Sequence, residues 1–158
     1  MLLRRAGGSL AAWAAGTATL TAADPSWSLE LPGEPVSAVV LDTHLAFGAA
    51  LPGGTPVATV RLLAGQPDAA PVASWPLLAG IDTAEWAAAR PEVAARLAAP
   101  PPDPWLSWVP PGGGYFGQVY RSRHRNPKPA PAVLLVVERN AELPEEVRLV
   151  LSRVELRP

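Results

Sequence analysis

The sequence predicts an all-β fold, an antiparallel β-sandwich of about eight strands. Apolar runs of strand length, several of them alternating with polar residues, are separated by turn-rich stretches. Twenty prolines and thirteen glycines in 158 residues favour short elements and many turns over a helical bundle. No helix regularly follows each strand, as a parallel α/β fold would require.

The first residues pair a basic start, MLLRR, with a stretch from Ala6 to Ala23 that carries no charge. Residues 1–23 are read as a signal peptide cleaved after Ala23, or as a membrane-proximal segment. Two other readings stay open: a weakly apolar membrane anchor, and TATLTAA as a first strand of the fold. Residues 24–158 are then a single sandwich domain.

Along that domain, WSLELP (27–32) alternates as a strand and turns at Pro32-Gly33. PVSAVVLDTHLAF (35–47) is a longer β-type run, and VATVRLL (57–63) follows the loop LPGGTP. VASWPLLAG (72–80) suits a sheet edge, because Pro76 has no N–H for a central ladder. GIDTAEWAAARPEVAARLA (80–98) predicts a helical insertion near residues 83–98. Asp82 and Glu85 are spaced as a capping box, and Trp86 and Arg90 would share a helix face. Pro91 then starts a second helical piece. APPPDPW (99–105) is an extended connector, and LSWVPPGGG ends in a glycine turn. YFGQVYRSRHR (115–125) alternates as a strand, NPKPAP is a loop, AVLLVVERN (132–140) is an apolar strand, and VRLVLSRVELRP (147–158) is the last strand.

In this order the segments PVSAVVLDTHLAFGAALPGGTPVATVRLL, GIDTAEWAAARPEV, GGYFGQVYRSRH and EVRLVLSRVEL resemble the galactose-binding-like jelly-roll modules of bacterial membrane-associated, glycosyltransferase-like proteins. The resemblance covers residues 27–158, and DTAEW with the following RP is its most specific part. It implies a jelly roll outside the membrane beside a membrane-protein partner, and it brings no catalytic residues.

Several chemistries find no support in the residues. The chain has no cysteine, so disulfides, thiolate metal sites and cysteine nucleophiles are excluded. A net charge of −1 gives no global field for nucleic acid. No G-x-S-x-G elbow occurs, and PPGGGYF lacks the ending of a phosphate loop. His44 stands two residues from Asp42 without a third ligand at a recognisable spacing, and His124 is the only other histidine. No metal, cofactor or catalytic residue is therefore assigned.

The binding candidates are aromatic and basic. Trp75, Trp86, Trp105 and Trp108 lie close together, and Trp105 and Trp108 flank a proline-rich loop where burial is difficult. Exposed rings supply stacking surfaces for sugars, and arginines pair with acidic groups. Trp105, Trp108, Tyr115, Arg121 and Arg123 are the candidate ligand contacts, with Arg125 on the same strand face. The same arginines also suit a solvated sheet edge. The leading expectation is a non-catalytic, extracytoplasmic bacterial module that binds carbohydrate or another cell-envelope component and no nucleic acid. Two alternatives stand beside it. One is a structural or protein-interaction domain without a small ligand. The other is a hydrolase of envelope glycans using acids among Asp42, Asp82 and Asp103.

Overall fold

The computed structural model describes residues 2–6, 9–13 and 18–158, the first two ranges as backbone only. Two antiparallel sheets pack as a sandwich. The larger sheet has the order β1 (Leu2–Ala6), β2 (Ser9–Trp13), β11 (Arg148–Arg157), β5 (Pro35–Ala46), β9 (Gly117–Pro131), β8 (Leu106–Trp108). The short β3 (Ala18–Leu20) also pairs with β11. The smaller sheet has the order β4 (Ser26–Glu30), β10 (Leu134–Arg139), β6 (Pro56–Leu63), β7 (Ala73–Leu78).

Side-chain alternation explains the core. Val39, Leu41 and Leu45 of β5 point inward and meet Leu149, Leu151 and Val154 of β11 and Val60, Leu62, Leu135 and Val137 of the smaller sheet. The opposite residues of β5, Ala38, Val40 and Asp42, lie on the outer face between two flanking strands. On β9 the same alternation buries Tyr120, Ser122 and His124 and turns Arg121, Arg123 and Arg125 outward. As expected of a strand holding Pro76, β7 is an edge.

Two local expectations are corrected. NPKPAP is not a loop but the end of β9, which runs to Pro131. Among the described strands, β8 pairs only with residues 117–119, so the rest of β9 has β5 on one side alone. Pro127, Pro129 and Pro131 therefore fall on an edge, where a missing N–H is tolerated. The helical insertion shrinks to one turn, α1 (Pro91–Ala94), with Pro91 at its start. Residues 82–90 form no helix. The Leu45 N–H donates to the carbonyl of Ala84 (2.8 Å) and the Trp86 N–H donates to the carbonyl of Leu45 (2.9 Å). The open end of β5 thus captures this backbone in a short parallel bridge.

The capping box does not form either. Asp82 Oδ2 accepts from the Leu78 N–H at 2.8 Å, closing the turn after β7. Glu85 Oε2 accepts from the Gly48 N–H at 2.7 Å, across the chain. Asp82 thus serves the turn before it, and Glu85 a distant loop, instead of a helix start.

β3 makes a test of the first residues direct. Leu20 is 1% exposed and sits in the core, and β3 covers the β11 residues Leu149, Val150 and Leu151. A chain beginning at Asp24 is expected to lose at least the ~2–5 kcal/mol of a buried leucine and to self-associate through the uncovered side of β11. Denaturant midpoints and size-exclusion profiles of the two chains check this. Equal stability would make these strands dispensable and would suit cleavage after Ala23.

Candidate functional site

The register of β5 and β9 sets Asp42 directly opposite Arg121. Arg121 Nε donates to Asp42 Oδ1 at 2.6 Å and its Nη2 donates to Oδ2 at 2.7 Å. This two-pronged contact fixes the guanidinium plane and holds its proton more tightly than usual. The same guanidinium lies 3.5 Å from the ring centroid of Trp105. Trp105 is itself tied to β9, its N–H donating to the Val119 carbonyl at 2.8 Å. Trp105 as a whole stays 56% exposed although Arg121 lies closely over its ring. Arg123 and Arg125 continue outward along the same row, both exposed.

Trp108 is placed differently. β8 pairs it with Gly117, and a Cβ at that position would meet the indole at 2.5 Å. Only glycine lets the ring lie on the strand backbone. Trp108 then stacks on Trp86 (5.9 Å between centroids, 13° between planes) and tilts against His44. Trp86 in turn meets Tyr115, and Arg90 lies over the Tyr115 ring at 5.7 Å. The five predicted residues thus fall into two groups. Trp105, Arg121 and Arg123 form one surface, while Trp108 and Tyr115 join an aromatic ladder that is half-buried.

The ladder borders two clefts at one end of the sandwich. One of about 390 Å³ lies between Arg90, Glu92 and the glycine turn with Tyr115. The other, about 440 Å³, is lined by Phe47, Trp86, Val93, Arg96 and Glu85 among others. Phe47 is 64% exposed and has φ 63°, a left-handed conformation that a bulky residue rarely adopts. Glu85 stabilises that turn through Gly48, and burial raises its pKa while backbone N–H groups oppose the rise. Trp86 and Phe47 were absent from the predicted contacts. A glycine inside an alternating strand, Gly117, was the one sequence signal for a ring packed close by.

The remaining candidates have local roles. Asp42 is engaged by Arg121, Asp82 closes a turn, and Asp103 is exposed on the connector. Trp75 Nε1 donates to the Arg125 carbonyl and its ring packs on His124. Among the described residues, no three His, Asp or Glu side chains gather as a metal site, and no helix is long and apolar enough to cross a membrane.

Burial holds His44 at a pKa of about 4 instead of 6.5. The unfolded chain therefore takes up a proton between those values that the folded chain refuses. The contribution of His44 to stability is complete above pH 6.5 and is lost as pH falls toward 4, at most about 3 kcal/mol. His124, also lowered mainly by burial, acts in the same direction. Glu85 acts oppositely, since a raised carboxylate contributes below its ordinary pKa and loses that contribution as pH rises through its folded value. Denaturation of His44→Gln should give a shallower rise in stability from pH 4 to 6.5 than the unaltered chain. Identical slopes would contradict a neutral, buried His44.

No family model matches the chain, and neither a curated protein nor a solved structure matches it.

Proposed function

We propose that this chain is a non-catalytic, extracytoplasmic bacterial module that binds carbohydrate of the cell envelope on the outer face of its larger sheet. The observation that carries this reading is the Trp105–Arg121–Asp42 arrangement. An exposed indole offers a flat apolar surface, and beside it a guanidinium held rigid by the buried Asp42 carboxylate offers fixed donors to hydroxyl groups. Arg123, next in the row, extends the polar contacts. The sandwich suits the galactose-binding-like jelly roll expected from the sequence, and that likeness belongs to the same proposal.

The test is calorimetric titration of the full chain with peptidoglycan fragments, N-acetylglucosamine oligomers and uronate oligomers. At least one should bind saturably, and Trp105→Ala should abolish that binding while circular dichroism stays unchanged. Binding that survives the substitution would move the site away from Trp105. Absence of binding across the set would sink the carbohydrate reading.

A second reading has its own observation. Leu106, Val109 and Phe116, around the β8–β9 hairpin, are 58%, 63% and 57% exposed. Apolar side chains gathered this way suit contact with a protein partner, including a membrane protein.

A further inference from the structure

The charge on the outer face of the larger sheet is unbalanced in a specific way. Its described basic residues include Arg121, Arg123 and Arg125 on β9 and Arg153 and Arg157 on β11. The acidic residues among them are Asp42 on β5 and Glu155 on β11, and both are already engaged. Asp42 takes the two prongs of Arg121. Glu155 accepts from Arg153 Nη2 at 3.3 Å and from Arg157 Nε at 3.1 Å. Arg123 and Arg125 are left with no carboxylate partner among the described residues.

These two cations occur at every second residue of one strand, which sets their Cα atoms roughly 7 Å apart, and Arg121 precedes them at the same interval. Like charges side by side on a sheet are unfavourable to each other. Their row begins at Trp105, which Arg121 covers. Beyond residue 119 no described strand pairs with the side of β9 away from β5, and the exposed Arg123 and Arg125 side chains stand in a row along which a chain-like ligand can lie.

We infer that the ligand is an acidic polysaccharide, one sugar stacked at Trp105 and its carboxylate or phosphate groups paired with Arg123 and Arg125. This inference rests on the carbohydrate reading and gives its ligand class. Nucleic acid is a poorer fit: grooves for single strands carry a succession of stacking rings along a basic track, whereas this row has one ring at its end. The chain's net charge of −1 also supplies no broad field.

The experiment uses the full chain with polygalacturonate, its fully methyl-esterified neutral form and a single-stranded oligothymidylate. The acid form should bind about tenfold or more tightly than the ester, with affinity falling as salt rises. The double substitution Arg123→Gln/Arg125→Gln should remove that difference, so that the variant binds the acid form no more tightly than it binds the ester. Equal affinity for acid and ester would overturn the acidic class while leaving the carbohydrate reading standing. Failure of both polysaccharides would overturn the acidic class, and the carbohydrate reading falls with it if the peptidoglycan fragments and N-acetylglucosamine oligomers are silent too. Oligothymidylate binding as tight as polygalacturonate, with the same dependence on the two arginines, would assign the row to nucleic acid instead.

Discussion

Arg139→Met should lower the melting temperature by roughly 10 °C, from a loss of about 3–5 kcal/mol. Arg139 is 3% exposed at the end of an apolar strand and has no carboxylate partner among the described residues. Its guanidinium donates instead to the carbonyls of Val147, Asn140, Leu143 and Pro144, at 3.1, 3.0, 3.4 and 2.6 Å. One side chain thereby organises the whole connection between β10 and β11. Methionine keeps much of the volume but leaves those oxygens without their donors, and an unsatisfied buried acceptor costs about 1–3 kcal/mol. Arg139→Lys should rescue little, because three donors on one nitrogen cannot reproduce a planar fan. Thermal unfolding followed by circular dichroism measures both. A melting temperature within 2 °C of the unaltered protein, roughly the error expected of a neutral substitution, would show that water replaces the guanidinium.

Asp42→Ala should weaken glycan binding by about tenfold or more without touching the ring that stacks on the sugar. Asp42 is a positioning residue. Its two oxygens hold Arg121 in the plane that lies on Trp105. Without them the guanidinium swings toward solvent, and both the stack and the donor geometry are lost. The stability loss should be modest, about 1–2 kcal/mol, because the part-exposed Arg121 can rehydrate. The distinguishing readout is a double-mutant cycle by calorimetry. If Asp42 acts through Arg121, then Arg121→Ala and the double variant should bind as weakly as Asp42→Ala alone. Additive losses would mean that the two residues contact the ligand independently.

The strands were legible because their signal is local. Alternation in residues 147–158 and the long apolar run of β5 mark strands whatever lies beside them. Residues 82–90 misled for the opposite reason. Their spacing satisfies every local rule of a helix start, yet Leu45 supplies backbone partners from a distant strand and Gly48 takes the Glu85 carboxylate. The prolines of residues 127–131 read as a loop because sequence does not reveal which strand is an edge. The same limit applies to the site. Trp105 and Arg121 were each recognisable by type, but their contact depends on β8 pairing with β9. Likewise the Asp42–Arg121 pair exists only once the register of β5 and β9 is set. Trp86 passed for a helix-face residue and instead became the centre of the aromatic ladder.

The most direct measurement is the indole N–H spectrum of the nitrogen-15-labelled full chain during titration with uronate oligomers. Six tryptophans give six resonances, each assignable by substitution. Binding on the outer face should move the Trp105 resonance saturably, with Trp27 on the opposite sheet unmoved. A spectrum in which Trp105 stays still while the chain binds, or in which no indole responds at any concentration, would contradict a sugar platform on this sheet.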